Sequence, residues 1–143
     1  MTGELELPRI VETLMAEGCV GETLAALQAG EAARLCQDPV VKKVLEGITA
    51  DETRHAALAW KALRWLVERH PELRQVARKA LVAATRPAVT RTGRDDLEAH
   101  GMLSPATQAR VHEVGRREVV ATLAAQVLGS GRDAGHAPRM LEA

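Results

Sequence analysis

The residues of this chain best suited to chemistry are Glu22 and the Glu-x-x-His motif at Glu52 and His55. Residues three apart on a helix project from one face, so Glu52 and His55 should lie side by side. Carboxylate and imidazole ligands together suit iron or manganese. A Glu on one helix and Glu-x-x-His on the next is half of a carboxylate-bridged dinuclear metal site. The pattern predicts that Glu22, Glu52 and His55 are metal ligands.

Two helices joined by a short break must position these ligands. The first is predicted over residues 8–36, and Asp38 is a good N-cap for a second helix over residues 39–69. So tight a connection makes an antiparallel hairpin in which Glu22 is level with the Glu-x-x-His motif. Glu17 fits less well, because it is turned about 140° from Glu22 around the helix.

The whole chain is predicted to be all-α. Its composition, rich in Ala and Leu, with no Phe or Tyr, favours helix over strand. A third helix is predicted from Pro71 to about residue 84 and a fourth over residues 105–128. The expected organisation is a helix pair with half a metal site in residues 1–85, a loop at 86–104, a packing helix at 105–128 and a flexible tail at 129–143.

Charge and hydropathy argue against several classes of partner. The 19 basic and 19 acidic residues cancel, so no global field points to nucleic acid. No apolar run approaches the roughly 20 residues that span a bilayer, and the acidic N-terminus is unlike a signal peptide. Cys19 and Cys36, about 25 Å apart on one helix, cannot pair and are expected to face the core. The sequence therefore predicts a cytoplasmic protein with no nucleic-acid or membrane partner. Trp60 and Trp65 are expected to anchor the core.

The metal interpretation has an alternative. Glu-x-x-His arises often by chance and could mark a solvated helix face, although the longer string Asp51–His55 is far rarer. Burying the three ligand side chains without a metal would be costly. Asp51 could accept a hydrogen bond from a metal-bound His on another helix, with Arg54 balancing its charge. Alternatively, Asp51 and Arg54 form an exposed ion pair.

These motifs resemble the repeated signature of the ferritin-like superfamily, which includes rubrerythrins, ferritins and ribonucleotide reductase small subunits. The segments Glu17–Thr23 and Asp51–Trp60 are similar to an uncharacterised bacterial group of ferritin-like domain proteins. The segments Leu103–Pro105 and Glu118–Val120 are also similar to that group. The resemblance therefore covers residues 8 to about 128. It implies a ferritin-like helical bundle. Members carry two such helix pairs per chain, and this sequence carries the second pair only.

The resemblance implies a di-iron carboxylate site that reacts with O₂ or peroxide, as in a ferroxidase-like oxidoreductase. Glu52 would bridge two irons, with manganese as the other candidate metal, and Glu22 and His55 would hold them. A second chain, as in a homodimer, or a missing N-terminal half would complete the site. The alternatives are a non-catalytic helical dimerisation module and a ferritin-like remnant without metal. Zinc hydrolysis is disfavoured, because it usually requires two His one turn apart.

Overall fold

The computed structural model describes residues 6–87 and 92–129, and the regular elements in this part of the chain are all helices, without strands. Helix α1 (residues 6–35) consists of Glu6–Thr13, a π-helical segment Leu14–Gly21, and Glu22–Leu35. Helix α2 is Pro39–Arg69 and helix α3 is Leu73–Ala84. A short 3₁₀ turn, Glu98–His100, precedes helix α4 (residues 105–128), which consists of Pro105–Val114, a π-helical segment Gly115–Val120, and Ala121–Leu128. The all-α prediction is confirmed.

Side-chain caps set the starts of two helices, as the sequence predicts. Asp38 Oδ1 accepts hydrogen bonds from the backbone N–H groups of Val40 (2.9 Å) and Val41 (3.2 Å). Ser104 Oγ accepts one from the N–H of Thr107 at 3.2 Å. Each cap satisfies N–H groups that have no partner within the helix. The expected tail at 129–143 lies outside the described residues except for Gly129, and so do residues 88–91 of the expected loop.

The core lies where α1, α2, α3 and the second half of α4 meet. Helices α1 and α2 form an antiparallel hairpin, α3 packs beside the N-terminal half of α1, and α4 packs across both long helices. The core members are buried apolar residues of all four helices: Val11, Met15, Cys19, Val20, Ala59, Trp60, Leu63, Val67, Leu73, Ala77, Val120, Ala124, Val127 and Leu128. No helix among the described residues is both long and apolar enough to cross a membrane.

Buried and exposed positions agree with the predictions for the cysteines and for one tryptophan. Cys19 and Cys36 are unpaired and buried, and burial raises the pKa of the Cys19 thiol to about 12. Trp60 is buried, but Trp65 is 51% exposed, with the Arg69 guanidinium 4.0 Å from its ring centre. The prediction for Trp65 was wrong because residues five apart on a helix differ by about 140° in direction. Trp60 and Trp65 therefore cannot both face the same core.

The two π-helical segments are absent from the sequence prediction, which expects regular helices. They contact each other near the middle of the fold. Close approach of helices occurs at glycines inside them. A Cβ added to Gly18 would stand 2.9 Å from Ala59 Cβ, and one added to Gly115 would stand 2.8 Å from side-chain atoms of Leu24 and Leu27. Position 18 is restricted to glycine because Ala59 Cβ cannot move aside, whereas at position 115 the ends of two leucine side chains would have to shift.

Candidate metal centre

The structure brings together the three side chains that the sequence predicts as ligands. Glu22 is the first residue after the π-helical segment of α1, and Glu52 and His55 share one face of α2 near its midpoint. Each offers one ligand atom, and these atoms all lie within 4.8 Å of one another. His55 Nδ1 lies 3.6 Å from a Glu52 carboxylate oxygen and 4.0 Å from a Glu22 carboxylate oxygen.

The π-helical segment sets the direction of Glu22. The backbone N–H of Glu22 donates to the carbonyl oxygen of Glu17, five residues earlier, as in a π turn. A π turn holds more residues than an α turn, so it changes the direction of every later side chain relative to the earlier ones. The N-terminal part of α1 can thus pack on α3 while Glu22 points toward α2.

The Glu52 carboxylate is close enough to influence the protonation of Glu22. A hydrogen bond with Glu52 raises the pKa of Glu22, and both partial burial and the negative charge of Glu52 act in the same direction. The nearby His55 ring opposes this rise in pKa. Like charges this close favour a shared proton or a cation between them.

The three side chains are more exposed than expected for ligands buried in a helical core. Their exposed fractions are 33% for Glu22, 26% for Glu52 and 59% for His55. All three side chains are therefore partly open to solvent in the single chain. The site faces outward from one chain, and its open side is available to a further group.

Asp51 and Arg54 form an ion pair one turn apart on α2, with side chains 59% and 70% exposed. This contact agrees with the exposed ion-pair alternative. Pairs of this kind are worth little stability in water. The role of Asp51 toward a histidine on another helix stays a prediction.

A buried hydrogen-bond chain next to the ligands was missed by sequence reasoning. Trp60 Nε1 donates to Thr23 Oγ1 at 3.0 Å, and Thr23 Oγ1 donates to the carbonyl oxygen of Cys19 at 2.6 Å. The chain joins α1 to α2 at the residue that follows Glu22. The sequence signals this chain only through a threonine among small residues. The hairpin register places Thr23 level with about position 54, and the long indole side chain of Trp60 spans the remaining distance along α2.

An open groove bordered by α1, α2 and residues 101–108 reaches Glu52. It has a volume of about 400 Å³ and is lined mainly by apolar side chains, with Glu52 among its walls. The apolar lining includes Ala25, Ala29, Ala32, Leu45, Ile48 and Met102. A small molecule could therefore reach the Glu52 carboxylate along this side of the hairpin.

The remaining histidines of the described chain lie away from these ligands. His70 lies 3.6 Å from Glu72 at the end of α2. His112 Nε2 is 2.8 Å from Gln28 Oε1, and burial lowers the pKa of His112. In residues 6–87 and 92–129, Glu22, Glu52 and His55 are the one group of three or more acidic, histidine or cysteine residues close enough to hold an ion.

Comparisons with protein-family models, with curated proteins and with solved structures found no match to this chain.

Proposed function

We propose that this protein is a ferritin-like metal-binding protein whose Glu22, Glu52 and His55 bind iron. The observation that supports the proposal is the convergence of two carboxylates and one imidazole, from two helices, within 4.8 Å. The sequence motif suggested these residues before their positions were known.

The donor set fits iron or manganese better than other common metals. Carboxylate oxygens with imidazole suit both metals, whereas zinc sites usually hold more His or Cys. Ligand atoms about 2.1 Å from a shared ion lie roughly 3–3.5 Å apart. The observed separations of 3.6 and 4.0 Å from His55 Nδ1 to the carboxylate oxygens would close to that range by small side-chain rotations.

The chain's own residues would prepare the site for a dinuclear centre. Glu22, Glu52 and His55 would hold the ions. Because ligands bind metal in their deprotonated form, the raised pKa of Glu22 would make metal binding weaken as the pH falls. An iron pair, when bound, would supply electrons to O₂ or peroxide, and the open side of the site would leave a coordination position for that oxidant.

A second candidate function is a non-catalytic dimerisation module. The exposed apolar side chains of α2, among them Ile48 and Leu58, favour it because solvent-facing residues of this type often mark an interface. This alternative predicts no bound metal. It also predicts that Glu52→Ala is neutral or stabilising, because a carboxylate close to another is removed.

Native mass spectrometry after anaerobic loading with Fe(II) tests the metal proposal. We expect two irons per two chains in the wild type, none in Glu52→Ala, and normal loading in Glu46→Ala, a matched exposed glutamate of α2. Iron at about 100 times its dissociation constant should stabilise the wild type by about 2.7 kcal/mol and leave Glu52→Ala unchanged. A protein that takes up no iron, or equal iron in both variants, would contradict the proposal.

A further inference from the structure

The open groove bordered by α1, α2 and residues 101–108, here called the Gln28 groove, has three walls from three parts of the chain. One wall is a row of alanines of α1 that includes Ala29, and a second is α2 at Leu45. The third is the turn at residues 101–103 with the start of α4. The volume of about 400 Å³ falls within the range of small-molecule sites, roughly 300–1,000 Å³.

The third wall is held in place by a hydrogen bond and by a close approach to α2. The backbone N–H of Gln37 donates to the carbonyl oxygen of Ala99 at 2.8 Å. Gly101 has a φ of +94°, and a Cβ added to it would stand 2.7 Å from Val41 Cγ1. The groove is therefore formed before any ligand binds, which lowers the ordering cost of binding.

Two glutamines of the groove wall hold each other's amide groups in one orientation. Gln28 Oε1 accepts a hydrogen bond from Gln108 Nε2 at 3.1 Å and lies 2.8 Å from His112 Nε2. Because an amide oxygen can only accept, His112 Nε2 must be the donor in this second contact. These bonds use the Gln28 carbonyl and one Gln108 N–H, and leave the Gln28 N–H groups and the Gln108 carbonyl for other partners.

The two remaining amide atoms form a donor and acceptor pair that can be reached from solvent. Gln28 Nε2 is a donor and Gln108 Oε1 is an acceptor, and within residues 6–87 and 92–129 neither atom has a hydrogen-bond partner. The same residues contain no buried side-chain nitrogen or oxygen that lacks a partner, so both atoms have solvent-accessible surface. Both glutamines line the groove. A ligand that offers an acceptor beside a donor would satisfy the pair.

The charge of the lining restricts the ligand further. No lysine, arginine or histidine lines the groove, and its one charged side chain, Glu52, belongs to the candidate metal centre. An anionic ligand would leave water without gaining a counter-charge, which is costly. The rest of the lining is largely apolar. The groove is therefore suited to an uncharged ligand with an apolar body.

We propose that the Gln28 groove binds a small, uncharged carboxamide with an apolar body. The ligand's amide carbonyl would accept a hydrogen bond from Gln28 Nε2, and its N–H would donate to Gln108 Oε1. A carboxamide supplies an acceptor and a donor side by side without charge, whereas a ketone or an ester supplies acceptors only. The apolar body would lie against the alanines of α1 and Leu45. Neither glutamine is a candidate metal ligand, so the site requires no metal.

Isothermal titration calorimetry on the full-length, metal-free protein tests the proposal with octanamide as the probe. Heptyl methyl ketone has the shape of octanamide with a methyl group in place of the NH₂. We expect the ketone to bind at least tenfold more weakly, because Gln108 Oε1 would lose water without gaining a donor. Hexanamide should also bind more weakly than octanamide, by roughly two- to fourfold for each methylene that it lacks.

Three results of this titration would overturn the proposal. The first is equal binding of octanamide and the ketone. The second is tighter binding of octanoate or octylammonium than of octanamide, which would assign the groove to a charged ligand. The third is no binding of octanamide at its solubility limit.

A substitution at Gln108 tests the role of the amide pair. Gln108→Leu removes the acceptor and leaves the contact between Gln28 and His112, so it should weaken octanamide binding at least tenfold and leave ketone binding nearly unchanged. Gln126→Leu, at an exposed glutamine of the second half of α4, is the matched control and should keep the wild-type preference. Far-UV circular dichroism checks that both variants are folded. A preference for the amide that persists in Gln108→Leu would overturn the assignment.

Two-dimensional NMR locates the probe without any substitution. The side-chain NH₂ signals of Gln28 and Gln108 should shift when octanamide is added, whereas those of the exposed Gln75 and Gln126 should not. Shifts that leave Gln28 and Gln108 unaffected would place the probe elsewhere and exclude the Gln28 groove.

Discussion

The hydrogen-bond chain from Trp60 through Thr23 to Cys19 should be a main determinant of the hairpin's stability. Both Thr23 and Trp60 are 5% exposed, so a lost partner could not be replaced by bulk water. Thr23→Val keeps the shape of the side chain and removes its oxygen. The indole N–H of Trp60 would then be buried without an acceptor, which costs about 1–3 kcal/mol.

We expect Thr23→Val to lower the free energy of unfolding by about 1–3 kcal/mol. For a chain of this size this corresponds to a fall in Tm of roughly 2–12 °C. Chemical denaturation followed by far-UV circular dichroism measures the change, with the metal-free protein used throughout. Because Thr23 follows Glu22, the same variant should bind Fe(II) more weakly, since Glu22 would be held less firmly against α2.

A double-mutant cycle isolates the hydrogen bond from the general effect of substitution. Trp60→Phe removes the donor, so Thr23→Val should cost clearly less in that background than in the wild type. Thr23→Ser, which keeps the hydroxyl, is the control for loss of the methyl group. The reasoning would be refuted if Thr23→Val were as stable as the wild type, or if its cost were the same with and without the indole.

Two further predictions concern helix packing and pH. Gly18→Ala should destabilise by about 1–3 kcal/mol, because its new Cβ would stand 2.9 Å from Ala59 Cβ, which has no side-chain rotation to relieve the overlap. Gly47→Ala should stabilise by about 0.4–1 kcal/mol, because a Cβ there meets nothing within 4 Å and an alanine reduces the conformational entropy of the unfolded chain. Thermal unfolding of the two variants checks that their changes in stability have opposite signs. Hydrogen bonds from Thr107 and Ser104 hold the pKa of Glu98 below its ordinary value. This stabilising contribution is therefore present above the ordinary carboxyl pKa and is lost as pH falls through the lowered one. The difference in Tm between wild type and Glu98→Gln should shrink between pH 6 and pH 3, and a difference independent of pH would contradict it.

The helix boundaries were predictable where a capping residue or a proline marks the end of a helix. Asp38 and Pro39 at one end of α2, and His70 and Pro71 at the other, set its limits at the observed residues. The convergence of the three ligand side chains followed from the same boundaries, since a short break leaves one antiparallel register. Their role as metal ligands stays a prediction.

Other features depended on packing that a sequence pattern does not specify. Ile48 belongs to an apolar helix face, but periodicity cannot tell whether the described chain covers that face, and it does not. The exposure of His55 has the same origin, whereas that of Trp65 follows from its angle to Trp60 on the helix. The π-helical segments leave no composition signal, because a widened turn results from competition between packing surfaces on either side of it.

The π-helical segment of α1 also suggests how such a chain could have arisen. A helix that gains one residue without breaking accommodates it in a widened turn, so Leu14–Gly21 has the form of a one-residue insertion in an older, regular helix. In that ancestor the residues after the insertion would have been turned by about 100° relative to those before it. The carboxylate now at position 22 would then have faced away from α2. A single codon would separate a helical hairpin in which Glu22 points away from Glu52 and His55 from one in which the three side chains converge.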